Sequence, residues 1–100
     1  MTNREELIDA IFELHGVRAT HVESVPVKKV FQGKTVWDGI VEVFDLVGNP
    51  KTHRAYAWSY ISGDYGKCHV TALHIPPVIS PQTAVQAAIV QELRKDGKAN

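Results

Sequence analysis

The chain has 100 residues, of which 44% are hydrophobic and 22% are charged, and its eleven basic and eleven acidic residues leave no net charge. This length and composition predict a single globular domain over residues 1–100 and exclude a disordered or fibrous chain. A chain without net charge lacks the sequence-independent attraction to nucleic acid that basic proteins have. A polyanion would therefore have to bind to a local basic patch.

The sequence contains no sign of a membrane or secreted protein. No apolar run approaches the ~20 residues that a membrane helix needs. The first residues, MTNREELIDAIF, are acidic where a signal peptide is basic. Cys68 is the only cysteine, so the chain cannot form a disulfide within itself. We therefore expect a cytoplasmic protein that makes no membrane contact.

The first predicted element is a helix over residues 3–15. Thr2 and Glu5 have the spacing of a capping box, and Gly16 suits the left-handed residue that ends a helix. The apolar residues of this segment share one side of a helix: Leu7, Ile8, Ile11, Phe12 and Leu14.

A hairpin follows, with strands predicted over residues 19–31 and 35–47. Pro26 has no amide hydrogen to donate, which indicates an edge strand or a bulge. Glycine at the first central position of the turn at 32–35 predicts a type II′ turn. The second strand is apolar on both of its faces, so we expect it to be central.

The third strand, predicted over residues 54–61, carries an aromatic stripe: Tyr56, Trp58 and Tyr60. Successive side chains of a strand point to opposite faces, so the three rings share one face and the small residues between them share the other. Gly63, Asp64 and Gly66 turn the chain into a last strand over residues 67–75.

The second helix is predicted to begin at Ser80 and Pro81, a capping hydroxyl followed by the residue best tolerated at the first helical position. The order helix, four strands, helix predicts an α+β fold. In this fold a four-stranded antiparallel meander is covered by the two terminal helices, giving two layers.

The aromatic stripe has three interpretations: core, an interface between subunits, or a platform for a ligand. If the helices cover the face of small residues, the rings are left outward. Tyr and Trp are enriched at contact sites. The leading hypothesis is a binding or protein-interaction module, a homodimer or the binder of another protein, that uses the aromatic face or a sheet edge and performs no chemistry.

A single-stranded nucleic acid is the less favoured alternative. Bases would stack on the three rings, and basic residues at the rim would contact phosphates. Lysines near strand edges also have a simpler use, since they keep edges from pairing with other chains. The candidate binding residues are Tyr56, Trp58, Tyr60, Arg54 and Lys34.

A small enzyme is a further alternative, using Cys68, a histidine and an acidic residue in a cleft. Neighbours in a strand point apart, so His69 cannot serve Cys68 as a base, whereas a histidine across the sheet could. His69 and His74 are expected on opposite faces, which argues against a shared metal ion. The sequence assigns no catalytic residue, metal ligand or cofactor.

Overall fold

The computed structural model describes residues 3–98, with side chains described as far as residue 91. The α+β class is confirmed, and the four strands form one antiparallel sheet in the order in which they follow along the chain. The elements are α1 (Asn3–His15), β1 (Arg18–Phe31), β2 (Lys34–Val47), β3 (Arg54–Ser62), β4 (Gly66–Leu73) and α2 (Pro81–Lys98).

The two helices lie on opposite faces of the sheet. Leu7 and Ile11 of α1 pack in one core cluster with Phe44, Leu46, Ala55 and Ala57. Ala84 and Val85 of α2 pack in a second cluster with Val27, Val41, Val43, Tyr56 and Trp58. The sheet is therefore the middle of three layers, which corrects the expected two-layer arrangement. Because β2 carries large apolar groups on both faces, each face needs its own cover.

The sheet consists of two hairpins that are joined over a short stretch. β1 and β2 pair along their whole length, but β2 pairs with β3 only through Glu42–Asp45 and Arg54–Ala57. Beyond this stretch the rings of Trp37 and Trp58 meet edge to face, with centroids 5.7 Å apart. Both hairpin turns lie at the same end of the sheet, which we call the outer end.

The first hairpin turn differs from the predicted type. Phe31 pairs with Lys34, so the two central residues are Gln32 and Gly33, with φ angles of 50° and 77°. Positive φ at both positions is a type I′ turn, whose twist matches that of the flanking strands. The type II′ prediction was wrong because it placed the turn one residue too late along the chain.

The helix ends follow local signals in the sequence. Gly16 has a φ of 69°, and its N–H donates to the carbonyl of Phe12 at 2.8 Å. Ser80 Oγ accepts a hydrogen bond from the N–H of Thr83 at 3.2 Å, so the predicted cap of α2 is confirmed. Thr2, predicted to cap α1, lies outside the described residues. Neither helix is long and apolar enough to cross a membrane, over the residues described.

Candidate binding surfaces

The aromatic stripe is largely core. Tyr56 and Trp58 are only 2% and 3% exposed, because α2 packs over them. Tyr60, two residues further along β3, is 48% exposed. A base or a second subunit can therefore reach Tyr60 in this arrangement, whereas contact with the other two rings requires α2 to move away.

Tyr56 also makes a polar contact inside the fold. Its hydroxyl lies 2.6 Å from Nδ1 of His74, within hydrogen-bond distance. Burial raises the pKa of the Tyr56 phenol above its ordinary value, and the nearby positive charge of Arg54 opposes this in part. The phenol is therefore held in its neutral form, as expected of a buried hydroxyl that has a partner.

The two basic candidates lie at opposite ends of the sheet. Arg54, at the start of β3, donates from Nε and Nη2 to Oδ1 of Asp45 at 3.3 and 3.2 Å. Lys34 begins β2 beside the outer turn. Arg54 and Tyr60 are six residues apart on one strand, which is about 20 Å. The five predicted binding residues therefore do not form one site.

A shallow cleft lies beside the start of α2, on the face that this helix covers. Its volume is about 260 Å³. The residues that line it are Glu23, Val25, Val43, Arg54, Tyr56, Ile79, Ser80 and Pro81. Three of its polar side chains have partners within the fold: Arg54 pairs with Asp45, Tyr56 with His74 and Ser80 with Thr83. Sequence reasoning missed this cleft because the fold brings its residues together from three strands and the segment before α2.

Ser24, His21 and Glu42 form a polar cluster that resembles a catalytic triad in composition. The pairing shift between His21 and Glu23 marks a β-bulge, which brings His21 and Ser24 to the same face. His21 Nε2 lies 2.7 Å from Glu42 Oε1, and Ser24 Oγ donates to the same carboxylate oxygen.

The hydrogen bonds of this cluster do not suit nucleophilic catalysis. A carboxylate only accepts, so Nε2 of His21 carries the proton and cannot take one from Ser24. Nε2 is 3.5 Å from Ser24 Oγ, and the serine proton goes to Glu42 instead. A triad needs the serine and the acid on different ring nitrogens. The cluster therefore joins β1 to β2.

Cys68 and its neighbouring histidine point to opposite faces of β4. Cys68 lies opposite Tyr60 in the pairing with β3, and its Sγ is 3.8 Å from the carbonyl of Gly66. His69 Nδ1 bonds Ser59 Oγ at 2.7 Å beneath α1. Within the part of the chain that is described, no three histidine, cysteine or acidic residues are grouped to hold a metal ion.

Seven of the exposed apolar side chains lie in the outer half of the sheet. Phe31 is 64% exposed, Ile61 77% and Tyr65 83%. We call this set the tip surface; it comprises Val30, Phe31, Val36, Ile40, Tyr60, Ile61 and Tyr65. Val30 and Phe31 are successive strand residues, as are Tyr60 and Ile61, so the set lies on both faces of the sheet. Monomeric proteins expose single apolar residues routinely, but a group of them in one part of the molecule is typical of an interaction site.

Comparison of the chain with known protein families, with curated proteins and with solved structures finds no match in any of the three. The fold class therefore follows from this structure alone. A fold by itself does not determine function, so the surfaces carry the functional information.

Proposed function

We propose that this protein is a small cytoplasmic protein-interaction module that acts as a homodimer and performs no chemistry of its own. The observation that carries the interaction module is the tip surface, with its seven exposed apolar residues in the outer half of the sheet. The homodimer contact is assigned to a different place, the regular edge strand β4. Burying such side chains against a partner removes apolar surface from water, at roughly 25 cal/mol per Å².

The composition of the tip surface supports protein binding. Phe31, Tyr60 and Tyr65 supply aromatic area, and aromatic residues are enriched in protein interfaces. Lys34 begins β2 beside the first hairpin turn and adds a charged group near these residues. Protein interfaces combine apolar residues with polar groups at their edge.

The polar clusters give little support to the alternative of an enzyme. Two groupings of a serine, a histidine and a carboxylate occur among the described residues. In the first, Ser24 and His21 share one carboxylate oxygen of Glu42. In the second, His69 lies between Ser59 and Glu6, but the Ser59 hydroxyl donates its proton to Oδ1 of Asn3. Cys68 faces the side of the sheet opposite His69. Nucleic-acid binding also loses support, because Tyr56 and Trp58 lie beneath α2. Both alternatives stay predictions that binding and activity assays would test.

Self-association is tested by sedimentation equilibrium between about 5 and 500 μM protein, the range in which weak homodimers form. The chain has a mass of 11.1 kDa, and we expect the apparent mass to rise toward twice this value. A mass of one chain at every concentration would refute the homodimer.

The tip surface is tested with selected peptides of known sequence. We expect apolar peptides chosen from a random display library against the wild-type protein to bind Phe31→Ser at least about tenfold more weakly, because an aromatic anchor is lost. Val47→Ser is the matched control, since Val47 is also 64% exposed but lies at the opposite end of the sheet. Equal affinity for both variants would refute the assignment of the tip surface.

A further inference from the structure

The two edge strands of the sheet differ in how they are protected against pairing with other chains. β1 contains Pro26 and has two pairing irregularities, one after His21 and one after Lys29. Prolines, bulges and lysines are the devices by which proteins keep edge strands from pairing. β1 is therefore a protected edge.

β4 has none of these irregularities in its pairing. Its register with β3 is continuous from Gly66 to Leu73, and the strand contains no proline. Its central side chains are small or β-branched: Val70, Thr71 and Ala72. An edge of this kind can accept another strand.

The hydrogen bonds of β4 show which backbone groups point outward. The N–H of His74 donates to the carbonyl of Arg54 at 2.9 Å, so these two residues form a hydrogen-bonded pair. Hydrogen-bonded and non-bonded pairs alternate in an antiparallel sheet. The N–H and C=O groups of Lys67, His69 and Thr71 therefore point away from β3, along the open edge.

We infer that β4 pairs antiparallel with β4 of a second copy, around a two-fold axis at Val70. This inference rests on the proposed homodimer and names its interface. Antiparallel pairing of identical strands is self-complementary, so it closes as a dimer and does not propagate. An unrelated strand could also add to the edge, but only a second copy forms the closed, symmetric pair.

The side chains that face each other favour one register. With Val70 on the axis, His69 lies opposite the second copy's Thr71, and Lys67 lies opposite its Leu73. A shift that centres the pair on His69 would instead set two imidazoles against each other. The charge of Lys67 is also balanced within its own chain, since Oε1 of Glu6 in α1 lies 3.2 Å from its Nζ. Pairing at the edge therefore brings no uncompensated positive charges together.

The dimer so formed has one continuous eight-stranded sheet with a bivalent arrangement of binding surfaces. A two-fold axis between antiparallel strands turns the outer ends of the two copies in opposite directions. The two tip surfaces then lie at the two ends of the dimer, where each can bind a separate partner. The β4 contact leaves both of them open.

The register is tested by cross-linking. With the two-fold axis at Val70, Cys68 of each copy lies opposite Ala72 of the other. Ala72→Cys therefore places two pairs of thiols across the interface, each at a separation that a disulfide can span. Within one chain the same two positions are about 13 Å apart and cannot be bridged. With diamide as oxidant, we expect the variant to run as a covalent dimer on a non-reducing gel. The double variant Cys68→Ser with Ala72→Cys is the control, and we expect it to run as a monomer on the same gel.

The outward hydrogen bonds are tested by a pair of substitutions at one position. Thr71→Pro removes an N–H that points to the open edge, whereas Thr71→Val keeps it and loses only the hydroxyl that bonds His15. We expect the proline variant to raise the dimer dissociation constant at least about tenfold relative to the valine variant. Circular dichroism of both variants checks that they fold. If the proline variant is unfolded, the cross-linking experiment alone tests the β4 contact.

The outcomes separate the inference from the proposed function. A wild-type protein that sediments as a dimer, yet gives no cross-link, dimerises through another surface, and the β4 contact is then wrong while the homodimer stands. A wild-type monomer at every concentration refutes the homodimer and the β4 contact together.

Discussion

Replacing Trp58 by alanine separates a core ring from a binding platform. The side chain is 3% exposed, and it packs among Val41, Val43 and Val85 beneath α2. Its ring also meets the edge of Trp37. A platform residue could be truncated with little effect on folding, whereas a residue in this position cannot.

The size of the loss follows from the burial. Truncating a buried tryptophan to alanine costs about 3 to 5 kcal/mol, since the transferred area is lost and a cavity remains. The edge-to-face pair with Trp37 accounts for about 0.5 to 1.5 kcal/mol of this. Domains of this size have unfolding free energies of about 5 to 15 kcal/mol, so the variant should lose a large share of its stability.

Urea unfolding followed by far-ultraviolet circular dichroism measures the effect without depending on the removed fluorophore. Tyr60→Ala is the matched control, because Tyr60 lies on the same strand and is 48% exposed. We expect it to cost about 1 to 2 kcal/mol. A loss below about 1 kcal/mol for Trp58→Ala would show that α2 does not cover the ring in solution.

Three smaller predictions concern a phenol, a helix cap and a turn. Burial raises the pKa of Tyr56 in the folded protein above the ordinary 10.0, so folding favours the neutral phenol. The stabilisation that this gives the folded protein is present below pH 10.0 and is lost as the pH rises through the pKa of the folded protein. Tyr56→Phe should therefore flatten the fall in unfolding free energy above pH 10.0, and an unchanged slope in alkaline urea titrations would refute this. Ser80→Ala should cost about 1 kcal/mol in thermal unfolding, because α2 loses its cap, and no change in melting temperature would contradict the capping bond. Gln32→Asn should stabilise the protein by about 0.5 to 1 kcal/mol, because asparagine tolerates the positive φ of a type I′ turn better, and a lower melting temperature would count against the assigned turn.

The elements of this fold could be predicted because their signals are local. Gly16 ends α1, Ser80 begins α2 and Gly33 marks the first hairpin turn, each through the conformation or hydrogen bond of a few neighbouring residues. Alternating residues on β3 also predicted that its rings share one face. These properties belong to segments of a few residues and need no knowledge of the rest of the chain.

The candidate binding site could not be predicted in the same way. Alternation showed that Tyr56, Trp58 and Tyr60 share a face, but it carries no information on what covers that face. The structure places α2 over the first two rings and leaves Tyr60 at the outer end. It also separates Arg54 from Lys34 by the length of the sheet, because the meander sends the start of β3 and the start of β2 to opposite ends.

The sequence by itself determined where the helices and strands lie, which residues share a face and that β2 is apolar on both sides. Tertiary structure decided that α1 covers Ala55 and Ala57 while α2 covers the aromatic stripe. It also decided that the pairing of β1 is interrupted by irregularities, whereas the pairing of β4 is regular. The physical reason is that side-chain periodicity follows from the local backbone, whereas the choice of a face or an edge depends on twist, connection and packing between segments far apart in the chain.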